Sequence, residues 1–267
     1  MIDTDILRRN SVSVIGTGAR TLVLAHGFGC DQTMWRLLTP YLQDEFRIVL
    51  FDYVGSGKSD PKAFRGKKYS ELSGYAEDII DVCEALELRD AILVGHSVSA
   101  MTGLIAAIKA PDLISKLVMV CPSPSFLNDP PHYNGGFERA DLEGLIDLMD
   151  QNYIGWANNL APLVTGTNGD AMADELVESF CSTDPIFAKT FARATFFSDC
   201  RHLLDKAKQP TLILQSTHDA LASVSVGEFV HAKMTASQLE IVEANGHCLH
   251  MTHPTQIAPS VIRFAKE

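Results

Sequence analysis

One serine stands where a serine can become a nucleophile. Residues 91–99 read AILVGHSVS, an apolar run that ends in Gly95-His96-Ser97-Val98-Ser99, and a helical pattern follows over 98–109. A sharp strand-to-helix turn of this kind lifts the serine hydroxyl clear of a sheet, and small residues flank it because neighbouring backbone comes close. The usual pattern is G-x-S-x-G. Here Ser99 holds the last position, small enough to keep the turn but a departure that weakens the motif standing alone. An ordinary strand-turn-helix with a surface serine would read the same way over these five residues. His96 is expected to be structural, its side chain pointing away from Oγ.

A serine needs a base, and the base needs an acid to orient it. Among nine histidines, His247 lies in Asn245-Gly246-His247, a loop after the last apolar run. Asp219 lies in Ser216-Thr217-His218-Asp219, just after the run 211–215. The order Ser97, Asp219, His247 is the chain order of a nucleophile-elbow hydrolase. Asp199 and Asp205 are rival acids, but both precede that run. His218 reads as a loop or rim residue rather than a base. Cys248 follows the base directly and could be a second nucleophile, although His247 has a better-placed partner in Ser97.

The transition state of acyl transfer carries an oxyanion, which two preset N–H donors stabilise. The run 21–25 ends in His26-Gly27-Phe28-Gly29. The expected oxyanion hole is the amide of Phe28 together with that of Val98, the residue after the nucleophile. Gly27 and Gly29 let the backbone turn those amides inward. A glycine loop that merely caps a strand is the plainer alternative.

Two other patterns invite different chemistry. His247, His250 and His253 form H-x-x-H-x-x-H, but no carboxylate-bearing second cluster accompanies them and the spacing is not that of H-E-x-x-H, so no metal is expected. Gly57-Lys58-Ser59 resembles the end of a phosphate loop, yet Asp52 occupies the position of its opening glycine. A turn beside the site floor is the better reading. No cofactor is expected.

The elements that must position these residues are legible as alternating patterns. Residues 21–25, 47–51, 91–95 and 117–121 are short and almost wholly apolar, as parallel strands covered on both faces are. Ser11–Ile15 is expected as an edge strand, and 211–215 and 238–242 as the last two strands. Helices are expected over 70–86, 98–109 and about 255–266. From about Pro122 to Arg201 no good strand is found. A Pro- and Gly-rich loop there gives way to helical segments near 140–157, 170–181 and 185–197. The architecture expected is α/β, a mostly parallel central sheet with helices on both faces. Its core spans 1–121 and 202–267, and residues 122–201 form a helical lid. Phe28 on the oxyanion loop and the lid aromatics Phe137, Trp156, Phe191, Phe196 and Phe197 are the expected substrate-pocket wall, because pockets are mostly apolar.

Composition bounds the partners. The 267 residues are 46% hydrophobic, enough for a full core, and carry a net charge of −11. That charge disfavours nucleic acid and anionic membrane. The start MIDTDILRRNSVSV lacks the apolar run of a signal peptide, and no stretch approaches the roughly 18 apolar residues of a membrane span. The six cysteines form no C-x-x-C pair, so reduced thiols and a cytoplasmic location are expected.

Several stretches together resemble the RsbQ-like α/β-hydrolases, a family typified by a bacterial sigma-B stress regulator, and more distantly the karrikin and strigolactone receptor hydrolases of plants. They are HGFGCDQTMW at 26–35, FDYVGSGKSD at 51–60, GHSVSAM at 95–101, SPSFLNDPPHYNGGFE at 123–138, NYIGWA at 152–157, FCSTDP at 180–185, FFSDCR at 196–201 and GHCLHMTHP at 246–254. Ser99 is itself typical of that family. The resemblance implies the α/β-hydrolase fold and a small, enclosed apolar pocket under the lid, with Ser97, Asp219 and His247 at its base. It implies slow hydrolysis of a small hydrophobic ester or lactone and a PAS-containing signalling protein as partner. A metabolic esterase or lactonase without a partner is the alternative, and a binding module with a vestigial triad is a third.

Overall fold

The computed structural model describes residues 3–166 and 171–267. Seven strands form one sheet: β1 (Ser13–Ile15), β2 (Arg20–Ala25), β3 (Phe46–Leu50), β4 (Ala91–His96), β5 (Ile114–Val120), β6 (Thr211–His218) and β7 (Ser237–Asn245). Their spatial order is β1-β3-β2-β4-β5-β6-β7. Among the described residues, only the edge pair β1–β3 of the sheet is antiparallel; its other pairs are parallel.

Both faces of the inner strands are apolar because both are covered. Along β2, Leu22 and Leu24 join one core while Val23 and Ala25 join the other, the period of two that a pleated strand imposes. Ile92 and Val94 of β4 alternate with Ala91 and Leu93 in the same way. Helices α1 (Leu72–Ala85) and α2 (Val98–Lys109) close the second core through Ile79, Val82 and Leu104. The carboxyl-terminal helix α8 (Pro254–Lys266) closes the first through Ile257, Val261 and Phe264. The expected fold class therefore stands.

Between β5 and β6, among the described residues, lie four α-helices: α3 (Arg139–Gln151), α4 (Tyr153–Thr165), α5 (Ala171–Ser182) and α6 (Pro185–Phe196). The segment expected as one helix over 140–157 is two. Asn152 breaks it, leaving helical backbone at φ −154° and accepting the Gly155 amide at 2.9 Å as the cap of α4. The helix expected from residue 170 begins, among the described residues, at Ala171; Asp170 lies outside them. Helix α7 (Val224–Lys233) carries no clear helical signal in the sequence, because its three valines and one glycine are poor helix formers. No described helix is long and apolar enough to cross a membrane.

The chain leaves β2 toward β3 and returns across it to β4, so β2 and β4 are neighbours whose connections run in opposite directions. The crevice beyond the carboxyl ends of such a pair is where open α/β sheets bind ligands. Ala25 pairs with Gly95 at that end. The residues that follow them are His26 to Gly29 on one side and Ser97 on the other.

Candidate active site

Ser97 sits between β4 and α2 with φ +54° and ψ −121°. A side chain other than glycine enters this region only when the surroundings force it, and such strain concentrates at functional positions. Gly95 makes the turn possible, since a Cβ there would meet the Ser99 carbonyl at 2.3 Å. Ser99 in turn uses its hydroxyl. It bonds the carbonyl of His26 and lies 2.8 Å from the Tyr53 phenol, tying the elbow to the loop after β2. The serine that breaks the G-x-S-x-G pattern is thus a strut between the two halves of the site.

His247 Nε2 lies 2.7 Å from Ser97 Oγ, and His247 Nδ1 lies 2.7 Å from Asp219 Oδ2. The carboxylate only accepts, so Nδ1 carries the proton and Nε2 is free to take one from the serine. Asp219 is held on its other oxygen, Oδ1, by the amides of Leu221 at 2.8 Å and Ala222 at 3.1 Å. Burial pushes its acidity the wrong way. The charge and hydrogen bond of His247 and these two amides outweigh that, and the carboxyl titrates below its ordinary range. The rival acids lie elsewhere. Asp199 pairs with Arg201 at 2.7 Å, and Asp205 lines a surface groove with Arg201 and His202. His218 is exposed at the end of β6.

The amides of Phe28 and Val98 donate to no protein acceptor among the described residues. The loop that presents Phe28 is braced by His26, whose Nδ1 donates to the Gly27 carbonyl at 2.8 Å and whose Nε2 accepts the Tyr53 amide at 3.2 Å. His96 braces the other side, donating from Nε2 to the carbonyl of His247 at 2.9 Å. Burial keeps both imidazoles neutral by lowering their pKa values.

The remaining candidates resolve into structural groups. Burial pushes the Cys248 thiol well above its ordinary range, which leaves it protonated and poorly nucleophilic. His253 bonds Thr252, whereas His250 lies against Trp35 and His96, so the three histidines of the H-x-x-H-x-x-H run do not converge. Donor atoms of His96, Cys248 and His250 do lie within 4.8 Å of one another, a set that could suit a soft ion, although His96 Nε2 is engaged by the His247 carbonyl. In the phosphate-loop-like turn the Asp52 carboxylate itself accepts the amides of Lys58 and Gln32, each at 2.9 Å. A carboxylate that fills the amide nest is incompatible with phosphate there.

Above Ser97 lies a narrow cavity of about 30 Å³, well below the usual size of a ligand pocket. Its wall comprises Phe28, Cys30, Phe126, Leu160, Val164, Leu176, Phe180, Thr195, Phe196 and Leu221, with His96, Ser97, His247 and Cys248 at the floor. Of the expected wall residues, Phe28 and Phe196 take part. The other four do not. Trp156 is fully buried behind the wall, stacked on Tyr153 at 5.2 Å and tilted against Phe180 at 5.0 Å. Phe191 stacks on Tyr75 at 4.0 Å, in the core beneath Phe28. Phe137 packs on Phe126 at 6.3 Å, and Phe197 lies under the guanidinium groups of Arg139 and Arg193. Sequence reasoning missed Phe126, Phe180 and the aliphatic wall, because an apolar residue facing a cavity has the same local pattern as one facing the core.

Residues 22–260 match the family model for the alpha/beta hydrolase family. The karrikin insensitive 2 receptor CA of Petunia hybrida is 40% identical over 256 residues, 95% of this chain and 94% of the relative. The strigolactone esterase D14 of Arabidopsis thaliana is 36% identical, over 97% of each chain. The solved structure of olei00960, a hydrolase from Oleispira antarctica, superimposes with a TM-score of 0.97 at 52% identity, covering 99% of this chain and 97% of that one. The chain belongs to the alpha/beta hydrolase family and is an α/β-hydrolase enzyme of esterase- and lactonase-like type.

Proposed function

We propose that the enzyme cleaves a small hydrophobic ester or lactone with Ser97 as nucleophile, His247 as general base and Asp219 as the acid that orients it. The observation that carries this reading is the continuous hydrogen-bonded chain from Asp219 Oδ2 through His247 to Ser97 Oγ, with both links at 2.7 Å.

Ser97 Oγ attacks the carbonyl carbon as its proton passes to His247 Nε2. The negative charge that develops on the carbonyl oxygen is received by the amides of Phe28 and Val98. Asp219 stabilises the imidazolium without taking its proton. The tetrahedral intermediate expels the alkoxide, which His247 protonates; in a lactone that alcohol stays attached to the acyl chain. Water, deprotonated by His247, then releases the acid and restores Ser97. Among the described residues the wall offers no carboxylate, lysine or arginine to a charged substrate, which supports a neutral, apolar one.

The test is covalent labelling with a fluorophosphonate and turnover of p-nitrophenyl butyrate. Ser97→Ala should abolish both while keeping the wild-type melting temperature. Asp219→Asn should keep binding and cut kcat by about 10⁴-fold, since the amide favours the wrong tautomer of His247. Near-full activity in Ser97→Ala would overturn the mechanism.

The same reading extends to an RsbQ-like regulator in the cytoplasm, with a PAS-containing signalling protein as partner. It is supported by the likeness, over 95% of the chain, to a protein named as a receptor, and by apolar side chains that project from the inserted helices. Ile154, Leu163 and Ile186 are 66%, 55% and 70% exposed there. A PAS-linked phosphatase, kinase or cyclase encoded beside this protein should change its output when the wild-type protein is added. Unchanged output, with and without a hydrolysable ester, would leave a stand-alone metabolic esterase or lactonase.

A further inference from the structure

Thr195 is an anomaly in the cavity wall. It occupies the last turn of α6, is 2% exposed, and its hydroxyl has no hydrogen-bond partner. A threonine within a helix ordinarily returns its hydroxyl to the carbonyl four residues back. Thr190 in the same helix does so, bonding the Ile186 carbonyl at 2.8 Å, and Thr165 in α4 bonds that of Ala161 at 3.0 Å. Thr195 does not make the corresponding bond. It lines the cavity instead, among Phe28, Phe126, Phe180, Phe196, Leu160 and Leu176.

A buried hydroxyl without a partner carries the full cost of its desolvation. Valine would fill nearly the same volume without that cost. The other polar groups on the cavity are spoken for or weak. Ser97 and His247 belong to the proposed chemistry, His96 holds a backbone carbonyl through Nε2 while its unpartnered Nδ1 is packed against Gly27, and the Cys30 and Cys248 thiols are neutral and weakly polar. Among the described residues, Thr195 is therefore the one strong unpaired hydrogen-bonding group of the wall remote from the reacting serine.

We infer that Thr195 Oγ1 is a specificity contact, and that the substrate is a neutral molecule bearing, besides its scissile carbonyl, a second oxygen that hydrogen-bonds to Thr195. This rests on the esterase or lactonase reading and narrows it, from any small apolar ester to an oxygenated one. A site that presents a polar group in apolar surroundings discriminates against a ligand that leaves the group unpaired.

The probes are p-nitrophenyl esters of 3-methoxypropanoic, 4-methoxybutanoic and 5-methoxypentanoic acids, each beside the unbranched alkanoate of equal chain length. Wild type should prefer the ether ester in at least one pair, beyond the two esters' ratio in buffer. Thr195→Val should lower that preference about three- to tenfold, the worth of one neutral hydrogen bond. Its loss of rate on the alkanoates should be smaller than its loss on the ether esters, and its melting temperature no lower than wild type. Thr195→Ser should restore the preference. The same pairs are measured by thermal shift in Ser97→Ala, with and without Thr195→Val, so that binding is read without turnover. If wild type neither turns over an ester nor reacts with fluorophosphonate, the hydrolytic reading fails, while the binding arm still decides the role of Thr195. If no pair shows a preference that Thr195→Val removes in either arm, or if both esters lose rate equally as the melting temperature falls, the assignment to Thr195 is overturned.

Discussion

The amide of His247 donates to the carbonyl of Val164 at 2.7 Å, so the residue proposed as base is held by the inserted helices as well as by its own loop. Beside this bond the backbones of Thr165, Gly166 and Gly246 are in contact. A Cβ on Gly246 would lie 2.2 Å from the Thr165 carbonyl, and Gly246 has φ +91°. Both conditions exclude an ordinary side chain. Gly246→Ala should therefore displace the last turn of α4 and the His247 loop together. The expected cost is about 1–3 kcal/mol of strain. The expected loss in kcat is more than tenfold, because small misplacement of a catalytic group is expensive. Urea unfolding and p-nitrophenyl butyrate kinetics on one preparation check both. A wild-type kcat in a destabilised variant would show that the contact holds the helices but does not position the base.

Trp156 gives the opposite separation. Its indole is fully buried against Tyr153, Phe180 and the edge of Phe28, and it does not line the cavity. Trp156→Ala should cost about 3–5 kcal/mol, as large-to-small changes in a packed core do. It should weaken turnover of all esters alike. Phe126→Ala enlarges the wall itself and should change the ratio of rates on short and long acyl chains. Melting temperatures and a butyrate-to-octanoate rate ratio distinguish them. A Trp156→Ala variant with wild-type stability and an altered ratio would return Trp156 to the wall.

Much of this was legible in the sequence because chemistry and backbone leave local marks. The turn at Gly95 to Ser99, the glycines flanking Phe28, and a histidine and an aspartate each just past an apolar run are patterns of residue type and spacing. The strands were legible for a related reason: Ile92, Leu93 and Val94 are apolar without alternation because each face of the sheet is covered. Beyond Phe28 and Phe196, the wall was not legible. Whether Trp156 or Phe126 faces the cavity depends on the rotation of elements packed from distant parts of the chain, and both read simply as buried aromatics. Thr195 was missed for the same reason, since a threonine in a helix has a local partner by default and only the packed structure shows that it has none. The division at Asn152 was hidden because apolar spacing runs on across it, while the break depends on a cap.

Buried histidines set the acid response of the fold. His250 is fully buried against Trp35 and His96, and neither of its ring nitrogens has a hydrogen-bond partner. Burial first, and the nearby His247 second, lower its pKa to about 3. In the unfolded chain the same imidazole titrates near its ordinary value of about 6.5. Between these two values the unfolded state binds the extra proton, so stability rises with pH and is lost on acidification. His250 alone should withdraw about 1.4 kcal/mol per pH unit once the pH is well below 6.5, or about 2 kcal/mol between neutrality and pH 5. His96, whose pKa is also lowered by burial, acts in the same direction. His250→Phe keeps a ring against Trp35 and removes the titration without breaking a hydrogen bond. Urea unfolding of both proteins at pH 7, 6 and 5 should show the variant losing less stability on acidification, its deficit against wild type shrinking by about 2 kcal/mol at pH 5. Parallel stability curves over that range would mean that His250 takes up a proton in the folded state as readily as in the unfolded one.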